Sequence, residues 1–201
     1  LNEWHPESNA FIHYKHDAAD PSSVSDNRLS TIFQDKGGVL WVGTFNGVNK
    51  WNYVSDTFTS LQVDPDSPSQ LSDNVIMSIE ESSDNTVWVG TYGGGLNRIQ
   101  MDTGNSVLYR HVPDDDNSLS DDRVMAIHAD RDGNIWAGTR NGGLDRLDPA
   151  TGRFRHYRHN PEIPHSLSSN SVSSIYSDDN GTLWVGTYGG GLNRLDPASG
   201  K

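Results

Sequence analysis

Residues 183–196 read LWVGTYGGGLNRLD, and nearly the same wording stands three times earlier: LWVGTFNGVNKWN at 40–52, VWVGTYGGGLNRIQ at 87–100 and IWAGTRNGGLDRLD at 135–148. The tryptophans fall at Trp41, Trp88, Trp136 and Trp184, at intervals of 47, 48 and 48 residues. A fixed period of this size marks an array of one supersecondary unit, which outranks any single-residue motif. Each copy reads as two strands. Leu183, Val185 and Thr187 alternate with Trp184 across an extended segment, and β-branched and aromatic residues suit that pleated setting. Tyr188–Gly191 interrupts the run, because glycine reaches positive φ without steric cost. Alternation resumes over Leu192–Leu195, so the pair is a β-hairpin.

The flanking segments repeat too. Before each hairpin lies a short apolar strand, at Leu29–Ile32, Ile76–Ile79, Val124–Ile127 and Val172–Ile175, preceded by VSDN, LSDN, LSDD and LSSN. Small residues recur within it: Thr31, Ser78, Ala126 and Ser174. A turn rich in Asp, Asn and Gly, such as Asp130–Asn134 or Asp178–Gly181, leads to the Trp strand. After each hairpin comes a further strand, FIHYKH at 11–16 and FRHYRH at 154–159, with divergent versions at 58–63 and 106–111. Polar loops follow at 17–23, 64–70, 112–118 and 160–166, with Pro21, Pro68 and Pro164 at one shared position.

Four short antiparallel strands in each period, with no helix signal, predict an all-β chain organised as a β-propeller array of about four blades. The blades fall at about 24–63, 71–112, 119–160 and 167–199. The fourth holds three strands, and residues 11–16 are a candidate for its closing outer strand; an open arc and a two-chain ring are the alternatives. The chain opens inside a repeat, since Leu1–Trp4 (LNEW) aligns with Leu192–Leu195 (LNRL), and it reads as an excerpt of a longer protein.

Composition narrows the function. The formal charge is −12, from 27 acids against 15 bases, with no basic run. That argues against a nucleic-acid partner, which needs a basic stripe. There are no cysteines, so disulfides and thiolate metal sites are excluded. No apolar segment approaches the roughly 20 residues that span a bilayer, so no membrane contact is expected from this segment.

The recurring pattern SLSxNxVxxIxxDxxGxLWVGTxxGGLxRLDPxTGxFxHYRH resembles the two-component regulator propeller family over essentially the whole chain. The resemblance implies the periplasmic or extracellular sensor region of a hybrid histidine kinase or diguanylate cyclase. It also implies oligosaccharide-type ligands in some members.

Candidate chemical motifs are weaker. SDDNGTLW at 177–184 fits the Asp-box of sialidase-like propellers, but Arg131 stands where Asp179 stands and Asn85 where Gly181 stands. A structural turn is the better reading. Asp64–Asp66, Asp114–Asp116 and Asp130–Asp132 lack the EF-hand spacing, and the eight histidines form no HExxH. GTYGGGLNR at 90–98 and 186–194 lacks the helix and the Lys-Ser/Thr of a phosphate loop. No catalytic constellation, metal or cofactor is expected.

More informative are the positions that vary inside the fixed frame. In the glycine loop these are Phe45, Tyr92, Arg140 and Tyr188, followed by Asn46, Gly93, Asn141 and Gly189. In a propeller this loop shares one face with Asn27, Asn74, Asp122 and Asn170. Aromatic rings, amides and an arginine on one rim suit a sugar or peptide, since flat rings stack and amides bond hydroxyls. The expected function is ligand sensing, with an oligosaccharide as the expected partner. Self-association and a purely structural or protein-interaction role are the alternatives, and a propeller lyase or glycosidase is a weaker one.

Overall fold

The structure is a computed structural model that describes residues 1–64, 66, 71–82 and 85–200. Pro68 lies outside them. The described residues form β-strands joined by turns, with no helix long and apolar enough to cross a membrane.

A hairpin of β1 (Asn2–His5) and β2 (Ala10–His13) comes first. The first blade follows as β3 (Leu29–Gln34), β4 (Leu40–Thr44), β5 (Gly47–Asn52) and β6 (Thr57–Leu61). The second is β7 (Ile76–Glu81), β8 (Thr86–Thr91), β9 (Leu96–Gln100) and β10 (Ser106–Tyr109). The third is β11 (Val124–Ala129), β12 (Ile135–Thr139), β13 (Leu144–Asp148) and β14 (Arg153–Tyr157). The fourth sheet has three strands: β15 (Val172–Ser177), β16 (Leu183–Thr187) and β17 (Gly191–Leu195). Every sheet is antiparallel in sequence order, and the inner strands β3, β7, β11 and β15 lie side by side in succession. The fold is a propeller array.

Two strand types differ in extent from the sequence reading. The inner strands run two residues further, into the Asp-rich turn. The outer strands stop short of the histidines expected to end them, because His16, His111 and His159 leave the sheet. Their Nδ1 atoms donate to the backbone carbonyls of Val24, Leu119 and Leu167, at 2.9, 2.9 and 2.8 Å. The strand expected at 11–16 forms at Ala10–His13, and its partner is β1 rather than β17. Trp4 faces Phe11 with ring centroids 4.9 Å apart, and Leu1 exchanges two backbone bonds with Tyr14. A partner a few residues away along the chain costs little loop-closure entropy. Leu1 and Tyr14 then pack with Val42 and Phe58 beside the first blade.

The repeated tryptophan carries the core from blade to blade. Trp41 packs with Ile76 and Val87, Trp88 with Val124 and Ile135, and Trp136 with Val172 and Leu183, each reaching the next blade. Its indole N–H is spent inside its own blade, on Asp35 (2.8 Å), Ser82 (3.2 Å), Asp130 (2.8 Å) and Asp178 (3.1 Å). This accounts for the Asp-box-like turn. In the third copy Asp130 also accepts the backbone N–H groups of Asp132 and Asn134, and in the fourth Asp178 accepts those of Asn180 and Thr182. Lys50, Arg98 and Arg146, cross-strand neighbours of the tryptophans, lie 5.4–5.8 Å from the ring centroids, a cation–π distance.

In the first three blades the Gly of the WVGT or WAGT strand is required by the same interface, whereas a Cβ at Gly186 would meet only Ser173 and Ser174 of its own blade. A Cβ at Gly43 would lie 2.7 Å from Ile76 Cγ2, and one at Gly90 2.8 Å from Val124 Cγ1; at Gly138 it would strike Val172. The fourth sheet ends the series. Val48, Leu96 and Leu144 are at most 1% exposed, whereas Leu192 at the equivalent position is 66% exposed. Trp184 is only partly buried.

Trp136→Ala should therefore lower unfolding stability by about 3–5 kcal/mol, and Leu144→Ala by about 2–5 kcal/mol. Leu192→Ala, which opens no cavity, should cost less than about 0.5 kcal/mol. Urea unfolding midpoints of the three variants test this; equal losses at Leu144 and Leu192 would contradict the assigned interfaces.

Candidate ligand-recognition rim

Each glycine loop is built by its threonine. The Oγ1 of Thr44, Thr91, Thr139 and Thr187 donates to the carbonyl of Gly47, Gly95, Gly143 and Gly191 at 2.9–3.0 Å. Those four glycines have positive φ, from 78° to 112°, where a side chain would be strained. The next residue docks on the segment before the inner strand. Backbone N–H groups of Phe45, Tyr92, Arg140 and Tyr188 donate to the carbonyls of Arg28, Val75, Arg123 and Ser171, at 2.8–3.1 Å. The glycine loop and the inner-strand entry thus share one end of the molecule, as the repeat pattern predicts. Neighbouring blades join there as well: the N–H groups of Gly47, Gly95 and Gly143 donate to the carbonyls of Asn74, Asp122 and Asn170.

On this frame Phe45, Tyr92 and Tyr188 stand 38%, 41% and 59% exposed. Arg140 is half-buried and Asn141 exposed, while Asn46 is half-buried with its Nδ2 on the Ser25 carbonyl at 3.3 Å. Two arginines that sequence reasoning passed over join the rim. Arg28 lies 5.0 Å from the Phe45 ring centroid and forks onto Asp26 at 2.7 and 3.2 Å. Arg123 forks onto Asp121, with both contacts at 3.0 Å, and Asp121 also accepts the backbone N–H of Asn141. The hydrogen bond from Arg28 holds the Asp26 carboxyl below its ordinary value, and the reciprocal bonds raise both guanidinium groups. These exposed pairs add little stability but fix the direction of the guanidinium planes. The readable signal was the pair of matching tripeptides DNR at 26–28 and DDR at 121–123.

Asn27, Asn74, Asp122 and Asn170 are on the same end, but their side-chain oxygens are occupied. Each Oδ1 accepts a backbone N–H eleven residues earlier: His16 (2.9 Å), Val63 (2.7 Å), His111 (2.7 Å) and His159 (2.6 Å). They hold the loop that enters each blade, and the rim side chains stand on that support.

The opposite end carries a second polar cluster. His128 Nε2 is 2.8 Å from Ser177 Oγ, and His128 Nδ1 is 3.6 Å from Glu80 Oε1. That carboxylate oxygen accepts the backbone N–H of Ala129 at 3.3 Å. Burial pushes the Glu80 carboxyl up and the His128 imidazole down. The cluster ties the second, third and fourth blades together.

The chain matches the family described as "Two component regulator propeller" at residues 23–46, 70–93, 118–141 and 166–189. It is built from four repeats of that family. Each matched segment spans the blade entry, the inner strand, the Trp strand and the first residues of the glycine loop, the parts that form the rim. Among solved structures, it is similar to the extracellular domain described as that of a hybrid two component system, BT4673, from B. thetaiotaomicron. The TM-score is 0.77 at 23% identity, covering 96% of this chain and 24% of that one. A second such domain, BT3049 of the same organism, gives 0.67 at 22% identity, covering 96% and 30%. The streptogramin B lyase structure gives 0.57 at 20% identity, covering 86% and 56%. These likenesses establish the fold, and the chain spans about a quarter of the length of the first of them. No curated protein sequence matches it.

Asn170→Ala should cost about 0.5–1.5 kcal/mol through the lost bond to His159 N. Tyr188→Ala should leave stability within about 0.5 kcal/mol of the parent. Thermal unfolding of both variants checks the division between support and exposed rim; a larger loss at Tyr188 would contradict it.

Proposed function

We propose that this chain is the recognition part of a periplasmic or extracellular signalling receptor, binding its ligand on the rim formed by Phe45, Tyr92, Arg140 and Tyr188. The supporting observation is the exposure of large aromatic rings at three of four equivalent loop positions, with Thr44 and Thr91, next to Phe45 and Tyr92, completely buried beneath them. Outward rings on a rigid frame suit stacking against a pyranose face. The fixed guanidinium groups of Arg28 and Arg123 present donors to hydroxyl or carboxyl oxygens. An oligosaccharide is accordingly the ligand class we favour. Membership in the regulator-propeller family, and likeness to extracellular domains of hybrid two component systems, support the sensing role and the location.

The alternative is a protein-interaction module without a small ligand. Glycan-array binding followed by thermal shift separates the two readings. A ligand that binds the folded state alone raises apparent stability by about 2.7 kcal/mol at a hundred times its Kd. We expect a hit from the array, abolished by Tyr92→Ala together with Tyr188→Ala while the melting temperature of the free protein is kept. An array without hits would instead favour the interaction module.

A further inference from the structure

The third blade departs from its neighbours at one buried position. Asn49, Asn97 and Asn193 each bridge strands two and three to the blade-entry loop. Their Oδ1 accepts the backbone N–H of Ser25, Ser72 or Ser168, and their Nδ2 donates to the carbonyl of Val42, Val89 or Val185. In the third blade the residue is Asp145, fully buried. Its Oδ2 accepts the backbone N–H of Ser120 at 2.9 Å and the Ser120 hydroxyl at 2.7 Å. Its Oδ1 lies 2.7 Å from Nδ1 of His156, directly across the strand pair. The residues across from Asn49 and Asn97 are Ser60 and Leu108. Carboxylate and imidazole therefore arrive together, in this blade alone among the three four-stranded ones.

The other ring nitrogen decides the charge. His156 Nε2 is 2.9 Å from the backbone carbonyl of Asp116. A carboxylate and a carbonyl only accept, and a neutral imidazole has a single N–H. Both contacts are hydrogen bonds only when His156 carries two protons. Asp116 belongs to the loop at 112–118, which links the second and third blades. That loop has one other tie to the outer strand, Asn117 O to Phe154 N at 2.9 Å, and the first blade has the counterpart, Ser22 O to Phe58 N at 2.8 Å. The tie through His156 is the addition.

We propose that the Asp145–His156 pair is a pH-sensitive clasp that holds the loop at 112–118 against the third blade while His156 is doubly protonated, and releases it on deprotonation. The groups facing His156 are Asp145 from β13, Asp114, Asp115 and Asp116 from the loop, and Arg158 beyond β14; His111 lies in the same small cavity, of about 210 Å³. The hydrogen bond to Asp145 raises the imidazole above its ordinary value of 6.5, and burial and Arg158 oppose it. The sign follows: the clasp is fully made below the unfolded-state value and is lost as pH rises through the folded-state one. The loop begins next to His111, whose backbone N–H is held by Asp122 at the rim. Opening the clasp on the alkaline side therefore loosens one support of the ligand-facing end.

The test uses the whole chain with ¹⁵N-labelled histidine, titrated from about pH 5 to about pH 9, a range that brackets histidine ionisation. The His156 ring should show both nitrogens protonated through neutrality and titrate above free histidine. Over the same transition, amide exchange at 116–118, corrected for intrinsic rate, should accelerate about tenfold or more, with no matching step in the counterpart loop at 17–23. Asp145→Asn, which restores the residue of the other blades, should bring the His156 transition down and move the exchange step with it. A His156 that titrates at or below free histidine in the parent chain, or loop exchange that ignores its transition, would overturn the clasp.

Discussion

The close approach of each Trp strand to the inner strand of the following blade is the contact on which the rest of the structure depends. A side chain at Gly43, Gly90 or Gly138 would collide with Ile76, Val124 or Val172. The strand therefore carries glycine there, facing the β-branched residue with which the next blade begins. The indole beside that glycine supplies the apolar area, and its N–H has to be satisfied within the buried interface. The Asp or Ser at the preceding turn does so. Glycine, tryptophan and turn aspartate are three parts of one solution to blade stacking.

That solution leaves the loops at the opposite end of each strand free to vary. Thr44, Thr91, Thr139 and Thr187 close the loop by bonding its backbone, so the residue after each threonine is unconstrained by the fold and becomes Phe, Tyr, Arg or Tyr. Variable side chains carried on loops over a rigid scaffold follow from this division, and the proposed recognition rests on it. The support is deeper than the rim itself: amide and carboxylate oxygens of Asn27, Asn74, Asp122 and Asn170 fix the entry loops, and those loops in turn hold the backbone of the exposed aromatic residues.

The fold was legible because its determinants repeat. Strand number, order and hairpin positions follow from the alternation around each tryptophan, and a sheet realises such alternation in only one register. Strand ends were less legible. The histidines at 16, 111 and 159 look like strand residues by pattern, yet each turns its ring to a backbone carbonyl of the following loop. At the site, the exposed aromatics were readable as variation within a constant frame. Asn27, Asn74, Asp122 and Asn170 were read as ligand-facing because polar residues beside a rim suit a ligand as well as they suit a loop. Their partners are backbone amides, which leave no mark in composition. Arg28 and Arg123 were missed although DNR and DDR match at one repeat position, because the match does not say what the arginine faces until the fold brings Arg28 over Phe45.

Repetition also makes exceptions interpretable. Where four copies share a residue, blade stacking or loop closure explains it; where one copy departs at a buried position, the neighbours show what the position ordinarily does. Asp145 stands where three blades place an amide that both donates and accepts. A carboxylate there leaves the carbonyl of its partner strand without that donor and brings a charge into a fully buried site, an unfavourable exchange unless the charge is paired. His156 supplies the pairing from directly across the sheet, and once charged it has a second proton to place, which the Asp116 carbonyl accepts. In the first hairpin His13 takes the same place across from an amide, Asn2, at 2.6 Å, so the carboxylate of Asp145 is what gives the third blade a titratable connection to its entry loop.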